Sequence, residues 1–410
     1  DYILCDSFYA LEYFYNQRLK KNIPVITSSP KILSLKKIKS INLYKNYNIN
    51  KFKKFQKSIL EFTLKVFKDL NNNKNFSREE SLLCAIYSNR FNNFLLKASQ
   101  LEKSLRKKKI LFIKVSDTFP NSKLINPPWD YIFDKSKNFE VQLFLPTNGN
   151  SLFSKVGLVE RIYLGGIETL CFRIFSYLSS FLKHKFSKRL LIISENELLI
   201  EASLKFLFKG YIPVNFNYIK KGKLAISEKK LFLVEKLLLK TVSSRINTYV
   251  NEAYRKKSIN FFFSELNNVC EDYNYWLSYF KRNAASLHNK RGKTYILSNH
   301  PATPKGLAAK NVFNKKKIKL ISFQHGVTAE ISGSHDYCLS QHDSSASDEY
   351  YAFNEKAVSV AKRNPFNISK HRVYGMPKRY KRQNSIFKLH KKYSILFLSN
   401  KLYRGNDGGI

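Results

Sequence analysis

Acidic residues are scarce in this chain. Its 410 residues carry 30 aspartates and glutamates against 72 lysines and arginines, a formal charge of +42. A surplus of that size points first to nucleic acid. The lysines, however, are spread along the whole chain, with no arginine-rich arm and no nucleic-acid motif. Lys, Asn, Ile, Phe and Tyr are abundant together, as compositional drift leaves them. No specific nucleic acid is therefore expected as a partner, whereas dispersed basic charge suits an anionic membrane surface. Cysteine is also sparse. Cys5, Cys84, Cys171, Cys270 and Cys338 include no CxxC pair, so neither a metal framework nor a disulfide framework is expected, and a reducing cytoplasm fits. Long apolar runs are missing too. The most apolar stretch, 156–182, is broken by Glu160, Arg161, Glu168 and Arg173, which excludes it as a spanning helix of about 20 apolar residues. There is no signal-peptide pattern, no repeat of fixed period, no HxxxH and no HExxH.

Hydrophobic residues make up 43% of the chain, enough for sizeable cores, and the length suggests two or three domains. The most informative stretch is 295–348. Apolar runs at 295–297 and 318–323 each end in polar residues, with a helical segment, 306–314, between them. Apolar run, polar turn, short helix, apolar run is the pattern of a βαβ unit with buried parallel strands. Further strands are expected at 2–5, 24–27, 41–43, 109–115, 141–145, 190–193, 211–216, 350–353, 371–374 and 393–399. Helical insertions are expected at about 50–108 and 225–290. In the first, Phe52, Phe55, Ile59, Phe62 and Val66 recur at helical spacing, and Ser77 with Glu80 forms a capping box. The expected class is α/β, a Rossmann-like parallel sheet with helical insertions.

Ligands of such sheets bind at the carboxyl ends of the strands. Five of the eight histidines, His300, His325, His335, His342 and His371, fall between residues 300 and 371. Histidine titrates near neutral pH and suits proton transfer. His300 and His325 follow adjacent strands and are the catalytic candidates. Asn299 and Gln324 offer amide groups to hydroxyls or phosphate, Gly326 allows a close backbone approach, and Thr328 and Asp348 complete the substrate-binding candidates. Glu195 and Glu197 invite an acid–base reading, but acidic residues at a helix start are favoured by its dipole. After strand 393–399, Asn400, Arg404 and Gly405 lie in a glycine-rich basic loop suited to phosphate. No metal site is expected.

The order of an NHP turn (299–301), FQHG (323–326), Ser347-Asp348 before a strand, YGMPK (374–378) and SILFLSN (394–400) resembles bacterial surface-polysaccharide transferases of the GT-B fold. The nearest in pattern are the CDP-glycerol glycerophosphotransferases and related capsule or surface-carbohydrate glycosyltransferases. The resemblance covers mainly 294–410. It implies metal-independent transfer of a sugar or polyol phosphate from a nucleotide-activated donor of CMP, CDP or UDP type. The acceptor would be a polysaccharide or a lipid-linked carrier, and His325 the general base. No cofactor beyond the donor is implied. It also implies an acceptor-side domain over 1–388 and, at 389–410, only the first strand and loop of a donor-binding domain. The chain opens at Asp1 and stops at Gly408-Gly409-Ile410, so a fragment of a longer protein is expected. It would be cytoplasmic, with peripheral attachment at the inner membrane face. The competing expectation is a basic nucleic-acid or membrane-surface module without catalysis, with a steep salt dependence.

Overall fold

Short apolar runs separated by helices build two wholly parallel sheets in the computed structural model. The structure describes residues 2–5, 11, 23–36, 38–45, 49–115, 128–144, 166, 168–178, 188–216, 219, 222–287, 293–324 and 344–377. The first sheet contains β1 (Tyr2–Leu4), β2 (Val25–Thr27), β3 (Ser40–Asn42), β4 (Ile110–Val115) and β5 (Phe139–Phe144), ordered β3-β2-β1-β4-β5. The second contains β6 (Arg189–Ile192), β7 (Ile212–Asn215), β8 (Thr294–Ser298), β9 (Leu320–Phe323), β10 (Glu349–Ala352) and β11 (Lys370–Val373), ordered β11-β10-β9-β8-β6-β7. The protein is thus α/β, and both orders are those of doubly wound, Rossmann-like sheets. β6 and β9 are buried at every residue, as parallel strands covered on both faces must be. The polar, largely exposed β11 closes one edge.

The strands expected in one sheet before residue 388 divide between two. Strand periodicity identifies which residues are extended but not which strand lies beside which. The expected βαβ unit is present: β8 and β9 pair in parallel. The strand expected at 393–399 lies outside the described residues.

The helices are α1 (Pro30–Leu33), α2 (Ile49–Asn71), α3 (Arg78–Leu105), α4 (Trp129–Phe133), α5 (Glu197–Leu207), α6 (Glu228–Tyr249), α7 (Glu252–Leu287), α8 (Pro304–Asn314) and α9 (Glu355–Arg363). Residues 168–178 are helical as well. The capping box opens α3: the Ser77 hydroxyl accepts from the Glu80 N–H at 3.2 Å, and the Glu80 carboxylate accepts from the Ser77 N–H at 2.9 Å. That helix runs unbroken to Leu105.

α3 and α7 each serve both cores. Phe91, Leu95 and Leu101 of α3 and Phe262 and Leu266 of α7 pack with Leu4, Ile26 and Phe112 of the first sheet. Leu82 and Ile86 of α3 and Trp276 and Phe280 of α7 pack with Leu191, Ile296 and Leu320 of the second. At 1.5 Å per residue, the 36 residues of α7 span about 54 Å. A cavity of about 40 Å³ lies where α3, α6 and α7 meet, lined by Leu83, Cys84, Val234, Phe263, Leu266 and Cys270 among others. Cys84, distant in sequence from Cys270, is hydrogen-bonded to it there. That bond, followed by burial, pushes the Cys84 thiol well above its usual range.

Arg78, the first residue of α3, is bonded to both halves of a loop pair at the second sheet. Its guanidinium donates to the Ser345 carbonyl at 3.0 Å and to the Phe366 carbonyl at 2.9 Å. Both acceptor residues are buried. Arg78→Ala leaves two buried carbonyls without this donor, and we expect it to lower stability by about 2–3 kcal/mol, read as a drop in denaturation midpoint with unchanged slope.

Candidate functional site

The second sheet reverses its strand order between β6 and β8, and there the chain gathers polar groups. After β6, the Ile193 N–H still bonds to the Leu297 carbonyl at 2.9 Å. The next residues, Ser194-Glu195-Asn196, leave the sheet and open α5. Asn196 caps that helix, its side-chain oxygen accepting from the Leu199 N–H at 3.0 Å, as short amide side chains do at helix starts. Its amide nitrogen donates to the Gln324 carbonyl at 2.8 Å, joining the end of β6 to the end of β9.

After β8 the chain turns sharply. The Ser194 and Ser298 hydroxyls lie 2.7 Å apart. The backbone N–H of His300 donates to both, at 3.0 and 3.1 Å, and the Asn299 N–H donates to the Ser194 carbonyl at 3.3 Å. Thr303 then caps α8, accepting from the Gly306 N–H at 3.2 Å, with Pro304 at the first helical position. Gly306 is required by space: a Cβ there would come within 2.3 Å of the Pro301 carbonyl oxygen. The reversal point is therefore flanked by the N-termini of α5 and α8, each carrying partial positive charge.

Charged side chains complete the edge. Glu195 is ion-paired with Arg173 from helix 168–178 and accepts from the Asn215 amide at 3.0 Å. Lys305, in the first turn of α8, donates to the Phe216 carbonyl at 3.2 Å and lies 5.0 Å from the centre of the Trp276 ring. Burial lowers its pKa to about 8, against the opposing pull of the Glu195 carboxylate. Among the described residues, no three His, Cys, Asp or Glu side chains gather closely enough to hold a metal ion.

Of the residues singled out from the sequence, Asn299, His300 and Gln324 stand together at this carboxyl edge. Asn299 and Gln324 are buried. The Gln324 side-chain oxygen accepts from the Phe353 N–H at 2.7 Å, so that oxygen stitches β9 to β10. Asp348 stands at the opposite, amino edge. One of its oxygens pairs with Lys310 of α8 and the other accepts from the Leu320 N–H at 2.8 Å. That position is separated from the strands' other ends by the length of a four-residue strand, about 13 Å. His325, Gly326, Thr328, Asn400, Arg404 and Gly405 lie outside the described residues. Glu197 is the first residue of α5, where its charge agrees with the helix dipole, and the capping is done by Asn196.

Sequence reasoning missed Lys305, Ser194 and Ser298. Lys305 did leave a signal: a cation in the first turn of a helix opposes the dipole, and such local conflicts concentrate at functional sites. No family model matches the chain, and no match was found among curated proteins or solved structures.

Two outcomes follow. Because the folded pKa of Lys305 lies near 8, below the usual 10.5, the unfolded chain binds more protons between those values. Stability contributed at this position should therefore rise with pH across that window. Thermal unfolding of wild type and Lys305→Met over that range checks it: the difference should move in favour of wild type as pH rises. Asp348→Asn should lower the melting temperature, read by thermal unfolding, because it removes the charge paired with the buried Lys310.

Proposed function

We propose that this chain transfers a sugar or polyol phosphate from a nucleotide-activated donor to a hydroxyl of a surface-polysaccharide acceptor. The reading is carried by one observation: the reversal point of the second sheet brings together two helix N-termini, a hydroxyl pair, the His300 backbone and the half-buried Lys305. Fixed N–H dipoles and a cation at a sheet's carboxyl edge suit phosphate. The motif order described above supports the same chemistry, and two parallel sheets are compatible with a GT-B arrangement.

In this reading the acceptor oxygen forms the new bond as the bond to the nucleotide's phosphate breaks. The acceptor proton passes to a histidine, His325 or His300, each following a strand of the second sheet. Negative charge develops on the departing nucleotide, and Lys305⁺ with the starts of α5 and α8 offsets it without reorganising. No metal ion is required by this scheme. The loop holding Asn400, Arg404 and Gly405 is the other candidate for the donor phosphates.

The test is a thermal-shift screen of the complete protein with CMP, CDP, UDP, GDP and an oligonucleotide, followed by turnover with the activated donor. One of CMP, CDP or UDP should raise the melting temperature. Removing the general base should cost more than about 100-fold in kcat, so His325→Ala and His300→Ala identify which histidine acts. Loss of the shift in Lys305→Met, but not in Arg404→Ala, assigns the phosphates to the reversal point. The opposite pattern assigns them to the 400–409 loop. Stabilisation by oligonucleotide alone, fading with salt, would overturn the transferase in favour of a basic binding module.

A further inference from the structure

Helix 168–178 carries its large apolar side chains on the outside. At 3.6 residues per turn, Ile174, Phe175, Tyr177 and Leu178 fall on one face about 160° wide. They are 50, 47, 67 and 50% exposed. The opposite face is the buried one, and it holds Phe172 and the small polar Ser176. A surface helix ordinarily presents the reverse, apolar inward and polar outward. Four large apolar side chains contiguous on one exposed face mark an interaction site rather than scattered surface residues.

The electrostatics name the partner. Between Glu168 and Glu195 the sequence holds five cations and no carboxylate. Arg173 is paired with Glu195 and Arg189 is buried, which leaves Lys183, Lys185 and Lys188 to act on a surface. The whole chain carries +42. An apolar face with aromatic residues, followed in sequence by these lysines, is complementary to an anionic lipid surface, where aromatic rings settle at headgroup depth and cations meet lipid phosphates. None of the described helices is long and apolar enough to cross a membrane, so the attachment this face can provide is interfacial.

We propose that the outer face of helix 168–178 inserts into the headgroup region of an anionic bilayer. The Arg173–Glu195 ion pair ties that helix to the carboxyl edge of the second sheet, so docking brings this edge to the membrane surface. The inference stands on the helix face and the local charge, and it does not depend on the reaction proposed above.

The experiment is co-sedimentation of the full chain with phosphatidylcholine vesicles and with phosphatidylcholine–phosphatidylglycerol vesicles, repeated at raised salt. Wild type should bind the anionic vesicles and release partly with salt. The combined variant Ile174→Ser, Phe175→Ser, Tyr177→Ser, Leu178→Ser should keep its melting temperature, since these side chains are exposed, and bind at least about tenfold more weakly. Should the combined variant melt early, Ile174→Ser alone supplies the same test, with a weakening of about threefold. Undiminished binding by the variants would overturn the proposal in favour of attraction by dispersed charge. Absence of wild-type binding to anionic vesicles would overturn it outright. So would light scattering that finds a lipid-free dimer which the variant abolishes, since a second copy would then cover the face.

Discussion

Everything else in this fold hangs on α3 and α7 belonging to two hydrophobic cores at once. Each helix packs one part of its length under the first sheet and another under the second. Neither sheet can lose its helical cover without stripping apolar side chains from the other. The polar contacts around these helices reinforce that dependence. The Glu80 carboxylate closes the α3 capping box and also pairs with Lys230 of α6. Asn311 of α8 donates to the Tyr273 hydroxyl of α7 at 2.9 Å and to the Ser77 hydroxyl at 2.8 Å. Unfolding is thereby coupled between the sheets, and a perturbation at the start of α3 reaches the loops beside β10 and β11 through Arg78.

The second sheet separates two kinds of polar chemistry by its own polarity. At the amino edge Asp348 pairs with Lys310, and the hydroxyls of the buried Ser322, Ser347 and Ser369 form a chain with 2.7 Å links. These groups hold the edge together. At the carboxyl edge, backbone N–H groups and a partly desolvated lysine collect around a strand reversal, the arrangement that favours an anion. Direction along the strands, which is invisible in composition, decides which polar residues hold structure and which can meet a ligand.

Much of this was legible from apolar periodicity. The run ending at Leu297, the helix after Pro304 and the run ending at Phe323 fold as the expected βαβ unit, because a buried parallel strand leaves a continuous apolar signature. Ser77 and Glu80 were readable as a capping box because that motif is purely local. The division into two sheets was not legible, since pairing partners are settled by helix packing far away in sequence. The place of Asn299 and His300 at the carboxyl edge was readable because they directly follow a strand. Ser194 escaped notice because its role depends on Ser298, more than a hundred residues later and on a neighbouring strand. Asp348 directly precedes a strand, and in a parallel sheet that alone puts it at the amino edge, away from Asn299 and His300.

The serine pair at the reversal point has a consequence for proton placement. Either hydroxyl can donate to the other across the 2.7 Å gap, and the His300 N–H supplies hydrogen to both oxygens. Two hydroxyl protons are available and the link between the oxygens uses one. Whichever way the link runs, the serine that accepts keeps its own proton to give to a third atom. A rotation of two hydroxyls, with no movement of the backbone, therefore transfers that donor from the β6 side of the crevice to the β8 side. The edge can turn that donor inward at the fully buried Ser298 or outward at the half-buried Ser194.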